Sequence, residues 1–172
     1  GESVQGLVLQ EAVDKMRGKI NSEIRLTIRR KNIPKAFDIT ITRAVIKITS
    51  VRSRVEGKAG YIRITSFTEQ THKGLKKAME KFREELGDEL EGIILDLRNN
   101  PGGLLDQAIK VSDAFLEKGE IVSTRQRDLE DTKRYNAHPG DLAKGKSIIV
   151  LLNGGSASAS EIVAGALQDH RR

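Results

Sequence analysis

Residues 92–103 have the sequence GIILDLRNNPGG, and residues 147–161 have the sequence SIIVLLNGGSASASE. Each stretch begins with an almost continuous apolar run, which is typical of a strand buried on both faces of a parallel sheet. A glycine-rich turn ends each run, and a helical pattern of apolar residues follows. Two such strand–turn–helix segments predict an α/β fold whose sheet is at least partly parallel.

The sequence around these segments continues the alternation of strands and helices. Tyr61–Phe67 alternates as a strand does, and Leu75–Leu86 places apolar residues on one face of a helix. A further helix is predicted from Leu105 to Leu116 and ends before Gly119. Two shorter strands are predicted on either side of a loop, over residues 121–127 and 134–138.

The N-terminal quarter has a different pattern. Residues 7–17 predict a short amphipathic helix, and residues 23–30 alternate as a half-buried strand does. Residues 38–49 alternate too, but their phase slips, which predicts either a bulge or two strands. Residues 52–60 are polar and contain glycine, which favours a boundary before the α/β part.

Composition narrows the classes of function. The net charge is +6, but acidic residues are interleaved and only 3% of residues are aromatic, so stacking platforms for nucleic acid are lacking. A solvated surface of mixed charge is favoured instead. The sequence has no cysteine, which excludes disulfides and thiolate metal sites, and its three histidines are scattered. We therefore expect no metal and no cofactor.

The chain begins Gly1-Glu2-Ser3, without an initiating Met or a signal peptide. This start predicts a segment of a longer protein. No apolar run approaches the ~20 residues that are needed to cross a bilayer.

The two glycine turns are where chemistry is expected, because ligands gather at the carboxyl ends of parallel strands. Glycine lets backbone N–H groups approach a reacting atom, and a serine beside such amides supplies a nucleophile and an oxyanion hole. Ser158 is the candidate, but Ser158 and Glu161 also fit a capping box at a helix start. Both roles stay open on spacing alone. A phosphate site lacks support, since neither turn has the sequence of a phosphate-binding loop.

The amino-acid sequences of these stretches resemble the motifs of one protein family. Residues 155–169, GSASASEIVAGALQD, resemble the active-site segment of the C-terminal processing peptidases, or tail-specific proteases, of serine peptidase family S41. Residues 96–103, DLRNNPGG, resemble the second hallmark of that family, and residues 60–67 the strand that opens its catalytic core. Residues 1–31 are similar to the second half of the PDZ domain that these enzymes contain.

The resemblance implies a fold and a division of the chain. The fold is a partial catalytic core of the ClpP/crotonase-like α/β type, preceded by a partial PDZ domain. Residues 1–31 are then the C-terminal half of the PDZ-like domain, residues 32–59 are connecting strands and linker, and residues 60–172 are part of the serine peptidase core.

The resemblance also implies a serine–lysine dyad in which Ser158 is the nucleophile. The backbone N–H groups of Ala159 and Gly103 form the oxyanion hole, with Gly102 the less favoured choice. Ser156 and Ser160 are neighbours that cap or pack.

The base of the dyad is expected outside this chain. The lysine of the family motif lies beyond Arg172, and Lys144 and Lys146 do not match its position, so the 172 residues alone are predicted to be inactive.

Other bases are not favoured. An acidic residue at the position of Asp169 has been considered important in the family, but eleven helical residues put it about 16 Å from Ser158, which indicates a structural role. His170 fails for the same reason. His72 and His138 stay open, since no sequence pattern places them near Ser158.

The implied activity is endoproteolysis of unfolded or C-terminally tagged proteins that have an apolar C-terminus. The parent protein is expected to be exported, to the periplasm or cell envelope, with no nucleic-acid partner. A half PDZ domain leaves a sheet edge unpaired, which predicts self-association, and a homo-oligomer is possible. The alternative is a non-catalytic PDZ-type peptide-binding module on the same scaffold. An acyl-CoA enzyme of the crotonase type shares the fold but is disfavoured by the serine motif.

Overall fold

A computed structural model of the chain describes residues 2–46, 49–125 and 132–172. The chain divides into two compact units: unit 1 is Gly1–Ile48 and unit 2 is Thr49–Arg172. In the described residues, no helix has both the length and the apolar character required to span a membrane.

Unit 1 contains helix α1 (Leu9–Met16) and an antiparallel pair of strands, β1 (Glu23–Ile28) and β2 (Phe37–Thr42). Exposed and half-buried residues alternate along β1, which confirms the predicted half-buried strand. The predicted helix is also present, and it is shorter at both ends. Only β2 forms within 38–46, and the remaining part of that predicted segment includes residues 47–48, which lie outside the described residues.

Unit 2 begins with two antiparallel strands and continues with alternating helices and strands. Its elements in chain order are β3 (Val51–Glu56), β4 (Ala59–Ile64), α2 (Thr71–Leu86), a 3-10 turn (Gly87–Glu89), β5 (Gly92–Asp96), α3 (Leu105–Asp113), β6 (Glu120–Thr124), β7 (Lys133–Asn136), β8 (Ser147–Leu151) and α4 (Ala159–Asp169).

The central sheet has the strand order β3-β4-β5-β8. The pair β3–β4 is antiparallel, whereas β4, β5 and β8 are mutually parallel. The mixed α/β fold with a partly parallel sheet is therefore confirmed. Strands β6 and β7 form a separate antiparallel pair. The last two residues of the first predicted strand, 126–127, and residues 128–131 of the predicted loop lie outside the described residues.

Helices cover the sheet with their apolar faces. Helix α2 packs against β3 and β4, and α3 packs against α4. The apolar spacing predicted for α2 is the buried face, since Leu75 and Phe82 are fully buried. The largest buried side chains of the core are Phe67, Phe82, Phe115, Ile62, Ile64, Leu75, Met79, Ile93, Leu95, Leu97, Val111 and Val163.

Two sequence predictions differ from the structure. Residues 52–60 do not form a polar boundary segment but β3 and the turn into β4, where Ser53 and Val55 alternate with exposed charged residues. Strand β8 is not buried on both faces, because Ile149 is 58% exposed. Its apolar run pairs with β5 on one side.

Candidate functional site

The two glycine turns lie side by side because β5 and β8 are parallel neighbours. Asp96 pairs with Leu151 at the ends of the two strands, and Leu97 N–H donates to the Leu151 carbonyl at 2.9 Å. Each strand then leads into its glycine turn at the same edge of the sheet. The register thus brings residues 98–103 and 152–158 together.

Asparagine side chains join the exposed part of the two turns. Asn153 Oδ1 accepts the Asn99 N–H at 2.8 Å, and Asn153 Nδ2 donates to Asn99 Oδ1 at 2.9 Å. Asn153 Oδ1 also accepts the N–H of Gly155 at 3.0 Å. These reciprocal bonds hold the start of one turn against the start of the other.

Asn100 joins the buried part of the same turns. Its side chain donates to the Ile64 carbonyl at 2.9 Å and accepts the Gly102 N–H at 2.9 Å. Its carbonyl oxygen accepts the N–H of Ala157 at 3.1 Å and the hydroxyl of Ser160 at 2.9 Å. One fully buried residue therefore contacts β4, the first turn and the second turn.

The first turn is also fixed on the segment after β4. Phe67 N–H donates to the Gly102 carbonyl and Leu104 N–H donates to the Phe67 carbonyl, both at 2.9 Å. Gly103 has φ +138°, and a Cβ there would clash with the Phe67 carbonyl, so this position requires glycine. Within the described part of the chain the Gly103 N–H has no acceptor, whereas the Gly102 N–H is bonded to Asn100.

Ser158 is the last residue before α4, and its backbone is strained. Its dihedral angles are φ +53° and ψ −114°, outside the regions that L-residues ordinarily adopt. The residue is exposed, and its side chain makes no cap hydrogen bond. Glu161 nevertheless supplies its part of the predicted capping box, because its carboxylate accepts the Ser158 N–H at 2.7 Å.

The other two serines of the motif have hydrogen-bond partners. The Ser156 hydroxyl donates to the Leu97 carbonyl at 2.8 Å and accepts the Asn153 N–H at 3.1 Å. Ser160 is fully buried, and its hydroxyl donates to the Asn100 carbonyl. Among the three, Ser158 alone is both exposed and free of a cap bond.

Gly102 brings the two halves of the candidate site into contact. A Cβ built on Gly102 would lie 2.8 Å from Ser158 Cβ and 3.0 Å from the Ala159 nitrogen. Ala159 is the first residue of α4, so its N–H has no acceptor within the helix, as at any helix N-terminus. Ser158, the Ala159 amide and the glycine turn that carries Gly103 therefore share one location.

Asp96 is a fully buried carboxylate at the end of β5 that the sequence did not single out. It accepts two bonds from the Arg98 guanidinium, at 2.9 and 2.7 Å, and one from the Tyr61 hydroxyl at 2.5 Å. The hydrogen bonds from Arg98 lower the pKa of Asp96 well below its usual range, against the opposing effect of burial. The Arg98 backbone N–H also donates to this carboxylate at 3.0 Å, so Arg98, the first residue of the glycine turn, is held by a buried charge with four donors.

The histidines do not contact Ser158. His72 and His138 line a cavity of about 200 Å³ with Asp113, and the His138 ring lies 3.3 Å from the Asp113 carboxylate. Burial, aided by the positive charges of Lys76 and Lys110, lowers the pKa of His72. His170 Nε2 lies 2.8 Å from the Glu120 carbonyl oxygen.

Asp169 and the lysines near β8 are also placed away from the serine turn. Helix α4 is continuous from Ala159 to Asp169, as the distance argument assumed, and Asp169 is exposed at its far end. Lys144 occupies a turn of positive φ, where its N–H donates to Asp141, and the Lys146 carbonyl accepts from Arg172.

The sequence profile of peptidase family S41 matches residues 58–172, which is more than half of the chain. The chain belongs to peptidase family S41. The predicted family is confirmed, and the strand–turn–helix segments that carry the glycines and serines lie inside the matched range.

Curated relatives of this S41 chain match it along its whole length. A carboxy-terminal-processing protease of Bartonella bacilliformis is 57% identical over 173 residues, covering 100% of this chain and 40% of that protein. A serine protease of Staphylococcus aureus, described as CtpA-like, is 41% identical over 174 residues and is covered to 34%. The chain thus spans well under half the length of these relatives.

A solved structure supports the fold of this S41 chain. The photosystem II D1 C-terminal processing protease superposes with a TM-score of 0.62 at 25% identity, over 99% of this chain and 47% of that protein. The α/β arrangement around the two turns is therefore the one found in a processing protease.

The sequence pattern indicates the glycines and the serine of the site, but it does not indicate the buried polar residues that hydrogen-bond to the two turns. Tyr61, Asp96 and Asn100 act through contacts across 35 or 36 residues of chain. The one available signal was a polar residue directly after an apolar run, as at Asp96, because a charge that ends a buried strand needs partners.

Proposed function

We propose that this chain carries the nucleophile and oxyanion hole of a serine endopeptidase that processes or degrades proteins from an apolar C-terminus. The observation that most supports this proposal is the exposure and backbone conformation of Ser158. It is exposed and strained at a helix start, its hydroxyl has no cap bond, and it packs on a glycine turn whose Gly103 amide has no acceptor among the described residues. A strained strand-to-helix turn is a known way to present a nucleophilic serine.

In this mechanism the Ser158 Oγ attacks the carbonyl carbon of the scissile peptide bond. The hydroxyl proton passes to a lysine base, and the carbonyl oxygen becomes an oxyanion that accepts hydrogen bonds from the N–H groups of Ala159 and Gly103. The lysine then protonates the leaving amine as the C–N bond breaks. Water releases the acyl group from Ser158 with the same lysine as base, which regenerates the hydroxyl.

The lysine of this Ser–Lys dyad is proposed to come from a segment of the family's sequence that these 172 residues do not include. A lysine near neutral pH is protonated in water, so it must be desolvated to act as a base. Lys144 and Lys146 do not fit, since both lie in the turn and loop that precede β8. We therefore expect residues 1–172 alone to be inactive.

The domain assignment is part of the proposal. Residues 1–31 are assigned to the C-terminal half of a PDZ-like domain, residues 32–59 to connecting strands and linker, and residues 60–172 to part of a ClpP/crotonase-like peptidase core. A PDZ domain binds an extended C-terminus by strand addition, which suits an enzyme that selects substrates by their C-terminal residues. Helix α1 and strand β1 lie within the residues assigned to the PDZ-like half, whereas β2, the partner of β1, lies in the range assigned to connecting strands.

Unfolded or C-terminally tagged proteins are the proposed substrates, without a role for nucleic acid. The whole protein is proposed to act outside the cytoplasm, in the periplasm or cell envelope, as the resemblance to tail-specific proteases implies. The relative from Bartonella bacilliformis is named for carboxy-terminal processing, which agrees with this substrate class.

The test uses the whole protein that contains this chain. The wild type is expected to cleave an unfolded peptide with an apolar C-terminus and to form a stable adduct with a fluorophosphonate, which reacts with activated serines. Ser158→Ala abolishes both, whereas Ser156→Ala and Ser160→Ala still acquire one adduct by mass spectrometry. Peptide mapping of the adduct identifies the serine.

Two results would count against the proposal. If Ser158→Ala cleaves as fast as the wild type, Ser158 is not the nucleophile. If the wild type binds the peptide but neither cleaves it nor reacts with the probe, the non-catalytic peptide-binding module is the better description.

A further inference from the structure

Asn100 is buried in the candidate site, and its side chain bonds to the end of β4 and to the first glycine turn. Its amide group has a partner at each end: Nδ2 donates to the Ile64 carbonyl and Oδ1 accepts the Gly102 N–H, each at 2.9 Å. A buried amide that is satisfied at both ends is costly to disturb, because each lost partner leaves a desolvated polar group. Asn100 therefore fixes the glycine turn relative to the end of β4.

The bond to Gly102 also decides which glycine amide is available. Pro101 has no N–H, and the Gly102 N–H is occupied by Asn100 Oδ1, so the first free donor of the turn is the Gly103 N–H. The carbonyl of Gly102 is held by Phe67 N–H at 2.9 Å. With both ends of Gly102 bonded, the peptide group that carries the Gly103 N–H has a fixed orientation.

The backbone of Asn100 fixes the second turn. Its carbonyl oxygen accepts the Ala157 N–H at 3.1 Å and the Ser160 hydroxyl at 2.9 Å. These two donors flank Ser158 and Ala159 in the chain. Asn100 thus bonds to both sides of the nucleophile's turn and, through its side chain, to the turn that carries the other oxyanion donor.

We infer that Asn100 is a positioning residue that sets the distance between Ser158 and the Gly103 N–H, so that both oxyanion donors align with the same oxygen. The inference rests on the proposed role of Ser158. Preorganised donors act mainly on the transition state, so a misplaced donor lowers kcat and leaves substrate binding largely intact.

The experiment compares Asn100→Ala with wild type in the whole protein, using peptide cleavage and two ligands. One ligand is a peptide boronic acid, which forms a tetrahedral adduct on a serine oxygen, and the other is the same peptide ending in a carboxylate. We expect kcat and the boronate affinity to fall together by about 100-fold, the order found for the loss of one oxyanion donor. KM and the affinity for the carboxylate peptide are expected to change less than about threefold.

The matched control is Gln107→Ala. Gln107 is also a buried amide, and it accepts the His72 N–H at 3.0 Å, but its partners belong to α2 and α3 rather than to the two turns. Its loss is expected to lower the melting temperature without changing kcat. This control separates loss of a buried amide as such from loss of positioning.

Each outcome has a defined meaning. If Ser158→Ala is inactive but folded Asn100→Ala keeps kcat within about threefold of wild type, the positioning role is wrong and the nucleophile stands. If Gln107→Ala loses as much kcat as Asn100→Ala, the effect is general destabilisation and the inference is again overturned. If Ser158→Ala remains active, the proposed function itself fails.

A second variant covers the case in which Asn100→Ala does not fold. Ser160→Ala removes one bond to the Asn100 carbonyl and only a hydroxyl from the core. We expect kcat to fall about tenfold with little change in KM, the effect of losing one hydrogen bond that aligns the turn. An unchanged kcat in this variant would overturn the inference.

Discussion

At the scale of single residues, the site depends on a backbone conformation that serine does not favour. A non-glycine residue in such a region costs about 1–3 kcal/mol and persists only when its surroundings determine it. For Ser158 the surroundings are the Glu161 carboxylate on its N–H and the glycine turn against its Cβ. In this conformation the Ser158 side chain makes no cap hydrogen bond.

Gly102→Ala is expected to disrupt this contact. Gly102 has φ +105°, and its new Cβ would lie 2.8 Å from Ser158 Cβ, so the serine turn must move. We predict a loss of about 1–3 kcal/mol of stability from strain, and a fall in the fluorophosphonate labelling rate of more than about tenfold. Gly140→Ala is the control, because Gly140 has φ +140° with nothing within 4 Å. It is expected to lose stability but not labelling rate, and equal labelling of both variants would contradict the prediction.

Asp96 predicts a dependence of stability on pH. Hydrogen bonds from Arg98 hold the pKa of Asp96 below its ordinary value, so the unfolded chain takes up this proton at a higher pH than the folded chain. The stabilisation is present above about pH 4 and is lost as the pH falls below it. Since Arg98 is 46% exposed, solvent screens the pair and the slope should lie below the limit of about 1.4 kcal/mol per pH unit for one proton.

Urea unfolding between about pH 5 and 2 tests this dependence. Asp96→Asn should be less stable at neutral pH and should lose less stability on acidification than the wild type. Asp88→Asn makes the same change of charge at an exposed position in the 3-10 turn. An Asp96→Asn curve parallel to that of the wild type would show that Asp96 does not drive the acid transition.

At the scale of elements, glycines in a strand and a helix have opposite roles. Gly60 lies in β4 opposite Val55, and a Cβ there would enter the ring of Phe82 from α2. Gly165 lies inside α4, and a Cβ there meets nothing within 4 Å. The first glycine lets a helix approach the sheet, whereas the second only weakens its helix.

The two alanine substitutions should therefore change stability in opposite directions. Gly60→Ala is expected to cost about 1–3 kcal/mol through overpacking, and Gly165→Ala to stabilise by about 0.5–1 kcal/mol through helix propensity. Denaturant unfolding measures both. Phe82→Leu should cost less stability in the Gly60→Ala background than in the wild type, because the shorter side chain relieves the overlap, and it should cost the same in Gly165→Ala as in the wild type. Additive effects of Gly60→Ala and Phe82→Leu would rule out the steric explanation.

Elements were predicted well where their periodicity was strong. The helices that contain Leu75 and Ile162 and the strand β5 lie where their apolar spacing predicts them, whereas β4 begins at Ala59 and ends at Ile64, ahead of the predicted end at Phe67. The polar residues 52–60 predict a boundary because β3 is half exposed and carries charges on its outer face. The apolar run of β8 predicts a strand buried on both faces, since such a run alone does not indicate which face is covered.

At the scale of the whole molecule, the two units differ in how they are stabilised. Unit 2 has a continuous aliphatic and phenylalanine core, whereas no described residue of unit 1 is fully buried. An isolated two-stranded hairpin is marginally stable in water. Unit 1 by itself is therefore expected to have low folding stability. Its exposed apolar side chains favour the predicted self-association.

Amide hydrogen exchange of the 172-residue chain should show this difference. Amides of β4 and β5 are expected to exchange only on global unfolding, and those of β1 and β2 at rates at least about 100-fold faster. Light scattering at the same concentrations reports self-association, which would protect unit 1. Equal protection of both units in a monodisperse monomer would contradict the prediction.

Local patterns and motifs are sufficient to predict the α/β class, the order of the two glycine turns and the family. Ser158 was a candidate from its motif, but its capping role stayed open. The three-dimensional structure is needed to establish that Ser156 and Ser160 are hydrogen-bonded while the Ser158 hydroxyl has no cap bond, and that the Gly102 N–H is occupied. Most of these bonds depend on strand register across about 60 residues of chain, and no local pattern encodes which donors remain free when two turns meet.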